Sequence, residues 1–174
     1  RDRALIATMV YSFARIGAVT SLRVEDLFTQ NRRLWLRLHE KGGKRHEIPC
    51  HHTLEQYLIA YLEAAELWET PKAFVFQTFS REGERKTAGR ALSGGHLPQA
   101  TAWQMLQRRA ADAGLDTAVC NHTFRATGIT TYLKNSGTLE RAATIANHSS
   151  TRTTQLYDRR PDDVTLDEVE KIQI

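Results

Sequence analysis

The sequence has 174 residues and a formal net charge of +4, and 41% of its residues are hydrophobic and 25% charged. This length and composition predict one soluble globular domain. Its longest apolar run, residues 4–13, is too short to span a bilayer, and no signal peptide pattern precedes it. Cys50 and Cys120 have no CxxC spacing, which argues against a disulfide framework or a zinc ribbon and favours a reducing cytoplasm.

Apolar residues recur at helical spacing along most of the chain. The predicted helices cover residues 6–13, 54–65, 101–113, 122–135, 138–147 and 166–173. Capping boxes are expected at Thr53 and at Thr101, each with a glutamine three residues later. Gly114 is expected to end the third helix, and Gly137 to separate the fourth from the fifth.

The hydrophobic period changes to two over residues 34–38, which indicates a strand. Two glycines that follow supply a turn, and residues 47–49 can return as the partner strand. Residues 74–76 are the expected third strand, and residues 80–98 are expected to form a long polar loop. The predicted fold is therefore mainly α with a small three-stranded antiparallel β-sheet, an α+β class.

Positive charge is concentrated between residues 31 and 47, where six basic residues stand against two acidic ones. Residues 161–174 have the opposite balance, five carboxylates against one lysine. A clustered positive stripe indicates a polyanionic partner. On charge alone, an ordinary solvated face explains the stripe equally well.

Six polar residues form a pattern that suits attack on a phosphodiester. In chain order they are Arg15, Lys41, His122, Arg125, His148 and Tyr157. Each is weak evidence alone, because an HxxR pair arises by coincidence and a tyrosine beside an apolar residue is usually half-buried in a core. Together they supply forked guanidinium groups for phosphate oxygens, a hydroxyl nucleophile and a lysine acid for the departing oxygen. No carboxylate cluster accompanies them, so we expect a mechanism without metal or other cofactor.

The ordered set Arg…Lys…His-x-x-Arg…His-x8-Tyr resembles the phage integrase, or tyrosine recombinase, family, and the likeness covers nearly the whole chain. The segments that carry it are RDRALIATMVYSFARIGAVTSLRVEDL, LRLHEKGGKRHEIP, HTFRATGITTYL and IANHSSTRTTQLYDRR. The resemblance implies the catalytic-domain fold of that family. It also implies a site-specific recombinase that cuts and rejoins double-stranded DNA through a 3′-phosphotyrosine.

The resemblance also implies a role for each matched residue. Arg15 and Arg125 would bind the scissile phosphate, and Lys41 would be the general acid. His122 would act as acid and base, His148 would donate a hydrogen bond to the phosphate, and Tyr157 would be the nucleophile. The further DNA contacts expected are Lys44, Arg45 and Arg152.

Three positions qualify the match. The family usually has an acidic residue three after the first arginine, where this chain has Ala18, so support for Arg15 is in question. A glycine usually precedes the second histidine, where this chain has Asn147. Lys44 is the alternative general acid. Lys41 is favoured for this role because it lies directly before the glycines.

The family resemblance sets the remaining expectations. Residues 1–174 would be a single catalytic domain, part of a longer protein with an N-terminal DNA-binding domain, acting in the prokaryotic cytosol as a tetramer on DNA. The acidic helix 166–173 is expected to dock on a neighbouring protomer or to fold back on its own. Two alternatives remain, namely a type IB topoisomerase with the same cleavage chemistry and a non-catalytic DNA-binding module.

Overall fold

A computed structural model describes residues 1–40, 43–80 and 91–160, and within these ranges the chain is mainly helical with small antiparallel sheets, as predicted. The helices are α1 (Asp2–Ser12), α2 (Ile16–Thr20), α3 (His52–Ala64), α4 (Gln99–Asp112), α5 (Asn121–Lys134), α6 (Leu139–Ile145) and α7 (Thr151–Gln155). The sequence had predicted five of these. It missed α2 and α7, because five residues are too few to show a helical period. The predicted helix 166–173 lies outside the described residues.

The main sheet has the order β1-β2-β3, antiparallel throughout, with strands Leu27–Gln30, Arg33–His39 and Arg45–Pro49. The predicted hairpin between β2 and β3 is confirmed, and the alternate leucines of β2 face the core. The prediction that residues 74–76 form the third strand was wrong. Asn31 and Arg32 both adopt positive φ, a two-residue turn geometry that pairs β1 with β2 instead.

The expected loop at residues 80–98 was also wrong in part. Strand β4 (Gln77–Phe79) pairs with β5 (Leu92–His96), while residues 81–90 lie outside the described ranges. The Gln77 side chain is buried, and its Oε1 accepts a hydrogen bond of 2.9 Å from the Gly94 amide. This pairing depends on a long-range polar contact, which a local sequence pattern does not reveal.

Helix ends differ from the expected capping boxes. Helix α3 begins at His52, with the His51 ring nitrogen accepting from the Thr53 amide, and α4 begins directly after Pro98. The predicted boxes at Thr53 and Thr101 were therefore wrong. Gly114 does end α4, in the left-handed conformation that favours glycine.

Two apolar clusters fill the interior. The larger joins α1, α3, α4 and the main sheet, and its fully buried members include Leu5, Met9, Leu36, Leu54, Leu58, Leu62 and Met105. The smaller joins the end of α1 to α5 and α6, through Phe13, Ile129, Leu133, Ala142 and Ala146. Tyr157, one of the predicted site residues, packs against this smaller cluster.

Gly128 brings α5 against α1 at the smaller cluster. A Cβ atom at this position would lie 2.1 Å from the Val10 carbonyl oxygen and 2.8 Å from the Phe13 ring. Only glycine permits such an approach without displacement of the backbone. The close packing places Arg125, one turn earlier on α5, beside the end of α1, where Phe13 adopts a left-handed conformation.

Candidate active site

Arg125 is the central buried cation of the site, with only 1% of its surface exposed. Its guanidinium donates to the Phe13 carbonyl and, at 2.7 Å, to the Ala146 carbonyl at the end of α6. Burial lowers the pKa of Arg125, and the positive charge of Arg15 acts in the same direction. The side chain therefore links three segments of the chain and fixes its own guanidinium in one place.

The loop after α6 presents His148 to this guanidinium. The His148 amide donates to the Ala143 carbonyl and the Asn147 amide to the Thr144 carbonyl, while Asn147 has a φ of 48°. This pattern is a Schellman motif, whose left-handed residue is usually glycine and sometimes asparagine. The replacement of the family's glycine by Asn147 therefore preserves the turn.

Two hydrogen bonds determine the tautomer of His148. Its Nε2 lies 2.6 Å from an Arg125 Nη atom, and its Nδ1 lies 2.9 Å from the hydroxyl of buried Thr154. A guanidinium only donates, so Nε2 is the acceptor and the proton is on Nδ1. Burial, with the charges of Arg125, Arg15 and His122, lowers the pKa of His148 to about 4. The imidazole is therefore neutral at pH 7.

Tyr157 is held on the same side of the site by α5. Its hydroxyl lies 2.7 Å from Nε2 of His122, and its backbone carbonyl accepts from the Thr130 hydroxyl at 3.1 Å. Burial lowers the pKa of His122, and the charges of Arg125 and Arg15 lower it further. A neutral His122 can accept the phenolic proton. The ring of Tyr157 also packs on the smaller apolar cluster, so it is half-buried as well as polar.

Arg15 enters the site from the other side, at the start of α2. Its Nη1 donates to Glu40 Oε2 at 2.8 Å, and its side chain is 47% exposed whereas that of Glu40 is 5% exposed. A cavity of about 490 Å³ has Arg15, Ala18, Glu40, His122 and Arg125 in its lining. The structure thus brings five of the six predicted residues together, and Glu40 with them.

The remaining predicted residues lie near or beyond this cavity. Lys41 lies outside the described residues, so its role and the alternative at Lys44 stay predictions. Lys44, Arg45 and Arg152 are exposed, the first two where the hairpin enters β3 and the third on α7. Exposure suits contact with phosphates, and their roles also stay predictions.

Three residues that hold the site together were not predicted from the sequence. Glu40 was counted only as a negative charge within the basic stripe, and the lack of an acid at Ala18 was the signal that another carboxylate was needed. Thr154 lies in a polar run and Thr130 follows Ile129, and neither context indicates that the hydroxyl would be directed inward.

The described residues contain no group of three or more His, Cys, Asp or Glu side chains able to hold a metal ion. None of their helices is both long and apolar enough to cross a membrane.

Comparison with known proteins agrees with this geometry. The family model described as the phage integrase family matches residues 1–163. The chain belongs to the phage integrase family. The resemblance inferred from the HxxR and His-x8-Tyr boxes is thereby confirmed.

Relatives within the phage integrase family include tyrosine recombinase XerD of Mycobacterium leprae (strain TN), which is 30% identical over 161 residues. Tyrosine recombinase XerD of Mycobacterium tuberculosis (strain H37Rv) is 31% identical over 159 residues. Each alignment covers 90% of this chain and 47% of the relative. The chain therefore spans about half the length of the relatives it matches.

Solved structures of two recombinases and an integrase have the same fold as this chain. The XerH recombinase in a pre-cleavage complex with difH has a TM-score of 0.73 at 21% identity, covering 98% of this chain and 45% of XerH. The XerA recombinase has a TM-score of 0.71 at 20% identity, covering 98% of this chain and 60% of XerA. A lambda integrase dimer bound to a COC′ core site has a TM-score of 0.68 at 16% identity, covering 95% and 45%. At these identities the likeness establishes the fold.

Proposed function

We propose that this chain is the catalytic part of a site-specific DNA recombinase, or integrase, that cuts and rejoins DNA through a 3′-phosphotyrosine and uses no metal. The observation that carries the proposal is the 2.7 Å contact between the Tyr157 hydroxyl and Nε2 of a neutral His122, beside the buried Arg125. A nucleophile, a base within hydrogen-bond reach and a fixed cation are what phosphoryl transfer to a side chain requires.

Cleavage would begin when the Tyr157 oxygen attacks the scissile phosphorus and its proton passes to His122 Nε2. Arg15 and Arg125 would bind the non-bridging oxygens, whose charge grows in the transition state. The bond from phosphorus to the 5′ oxygen breaks as the phosphotyrosine bond forms.

The departing 5′ oxygen would take a proton from Lys41, the residue expected at the hairpin tip, and leave as a 5′ hydroxyl. Rejoining is the reverse, with a 5′ hydroxyl of the same or another strand attacking the phosphotyrosine. His148 would exchange its contact with Arg125 for one with the phosphate. To donate from Nε2 it needs a second proton or the other tautomer, and the Thr154 hydroxyl can pair with Nδ1 in either form.

Double-stranded DNA is the proposed partner. The exposed Lys44, Arg45 and Arg152 would contact its backbone, with an affinity that falls steeply as salt rises. Support comes from the XerH and lambda integrase structures, which are bound to difH and to a COC′ core site. We further propose assembly as a tetramer on two duplexes, in the prokaryotic cytosol or nucleoid. A further DNA-binding domain before residue 1 stays a prediction.

The proposal can be tested by covalent trapping. The probe is a pool of duplexes of random sequence that carry a nick. Cleavage near the nick releases a short strand with a 5′ hydroxyl, and its loss prevents rejoining. We expect the wild-type chain to form a detergent-stable protein–DNA adduct both with and without EDTA. One DNA sequence should be enriched in that adduct. Tyr157→Phe should form none.

Failure of the wild-type chain to form any adduct would contradict the proposed activity. An adduct that persists in Tyr157→Phe would contradict the choice of nucleophile. Relaxation of a supercoiled plasmid that lacks the enriched sequence would instead indicate a topoisomerase.

A further inference from the structure

We propose that Glu40 is the positioning residue of Arg15, and that it supplies from the β2–β3 hairpin the carboxylate that Ala18 does not. This inference rests on the proposed function, because Arg15 is taken to bind the scissile phosphate. Glu40 would not touch DNA. Its role would be to hold the Arg15 guanidinium at the edge of the cavity that also contains His122 and Arg125.

The asymmetry of the Arg15–Glu40 pair is the first argument. Only 5% of the Glu40 side chain is exposed, whereas 47% of Arg15 is. In the Arg37–Glu47 pair on the same hairpin, by contrast, 33% and 43% of the two side chains are exposed. A carboxylate withdrawn from water needs a strong partner, while an exposed pair is held weakly. Glu40 is therefore the fixed member, and Arg15 presents the remaining face of its fork to the cavity.

The position of Ala18 is the second argument. Ala18 is buried, lies on α2 one turn after Arg15, and is in the lining of the same cavity. Its methyl group has no polar atom to offer a guanidinium. Among the described residues that line this cavity, Glu40 is the one with a carboxylate. The acid has thus moved in sequence from the arginine's own helix to the neighbouring strand end.

The backbone of Glu40 is the third argument. Its amide donates to the Lys44 carbonyl at 2.8 Å, which closes the base of the hairpin turn. His39, just before it, is fixed by a 2.8 Å contact from Nε2 to the buried Asp26 carboxylate. Lys41, the proposed general acid, is the next residue in the sequence. Glu40 therefore connects a phosphate-binding arginine directly to the segment that carries the acid.

A purely structural role, in which Glu40 only anchors the hairpin, is the competing explanation. Glu40→Gln separates the two, because it keeps the side chain's shape and the backbone hydrogen bond and removes only the charge. The matched control is Glu47→Gln, which removes a carboxylate from the same hairpin but from an exposed pair with Arg37. Glu40→Asp keeps the charge on a shorter side chain and tests for partial rescue.

The measurements are the single-turnover rate of adduct formation at saturating DNA, the Kd for the same duplex and the thermal unfolding midpoint. The duplex is the sequence enriched by trapping from the random pool. Because a displacement of about 1 Å in a reacting group costs on the order of 100-fold, we expect Glu40→Gln to slow adduct formation roughly 10- to 100-fold. Its Kd should change less than about threefold, since one phosphate contact among many is affected.

We expect Glu40→Asp to recover part of the lost rate and Glu47→Gln to match the wild-type rate. A Glu40→Gln rate equal to that of Glu47→Gln would overturn the inference. So would a Glu40→Gln unfolding midpoint below the assay temperature, because loss of the hairpin would then explain the slow rate. An inactive wild-type chain would contradict the proposed function instead, so the two failures are distinguishable.

Discussion

The two sides of the cavity are built differently. On one side, α5 carries His122 and Arg125, and the segments after α6 and α7 carry His148 and Tyr157. Arg125 contacts His148, and His122 contacts the Tyr157 hydroxyl, beside a small apolar cluster. On the other side, Arg15 is nearly half exposed and is held by an ion pair to Glu40. The first side is fixed by folding, whereas the second presents an exposed guanidinium that an ion pair to Glu40 holds in position.

This difference separates two physical tasks. Positions where charge develops gain most from groups that are already fixed, because no free energy is then spent on ordering them during the reaction. A side chain that meets DNA first gains from exposure, because charge attracts DNA before contact is made. Substitutions on the α5–α7 side should therefore affect stability and chemistry together, and those on the Arg15 side chemistry alone.

The largest effect is expected for Arg125→Ala. It leaves the buried Phe13 and Ala146 carbonyls without a donor, each at a cost of about 1 to 3 kcal/mol in unfolding free energy, and adduct formation should become undetectable. Denaturant unfolding and trapping measure the two effects. Arg152→Ala, an exposed control on α7, should unfold within about 0.5 kcal/mol of the wild type. Equal stability of the two variants would contradict the inference that the Arg125 hydrogen bonds stabilise the fold.

Gly128→Ala tests whether the close packing of α5 on α1 determines the geometry of the site. The added methyl group would overlap the Val10 carbonyl, so we expect a loss of about 1 to 3 kcal/mol in unfolding free energy and a slower cleavage rate. Gly95→Ala is the matched control, because a Cβ atom there meets only ordinary contacts at 3.5 Å and beyond. Wild-type stability in Gly128→Ala would mean that the helices can separate freely.

Thr154→Val removes the hydroxyl that pairs with His148 Nδ1 but keeps the shape of the side chain. The Nδ1–H of His148 loses its partner, so unfolding free energy should fall by about 1 to 2 kcal/mol and the rate of adduct formation by roughly tenfold. Thr154→Ser restores the hydroxyl and should recover most of the rate. Equal rates in the two variants would argue against a role for this contact in setting the tautomer.

The smallest effect is a dependence of stability on pH. The pKa of His148 is about 4 in the folded chain against about 6.5 when unfolded, so the unfolded chain binds more protons between these values. Unfolding free energy should therefore fall as the pH is lowered from 6.5 to 4, by on the order of 1 kcal/mol for this partly exposed ring. Denaturant titrations across this range should show a shallower slope in His148→Asn. An unchanged slope would exclude His148 as the source.

The sequence predicted the parts of the molecule that local pattern controls. The period of the leucines in β2 gave the strand, and the spacing of His122 and Arg125 placed both on one helix. The third strand was misassigned because it depends on two non-glycine residues at positive φ, which propensity does not indicate.

Long-range contacts account for the site residues that sequence analysis missed. Nothing local distinguishes buried Glu40 from exposed Glu47 on the same hairpin, or buried Thr154 from the exposed residues beside it. Their burial follows from packing between segments distant in sequence. Only the lack of an acid at Ala18 hinted at a carboxylate elsewhere.

The most direct test of the central claim is to identify the residue that becomes linked to DNA. The wild-type adduct would be digested with protease and nuclease, and the nucleotide-bearing peptide sequenced by mass spectrometry. We predict a single phosphotyrosine linkage at Tyr157, unchanged by EDTA and still present in the control Tyr132→Phe. A nucleotide on any other side chain, or an adduct that forms only with added metal, would contradict the account.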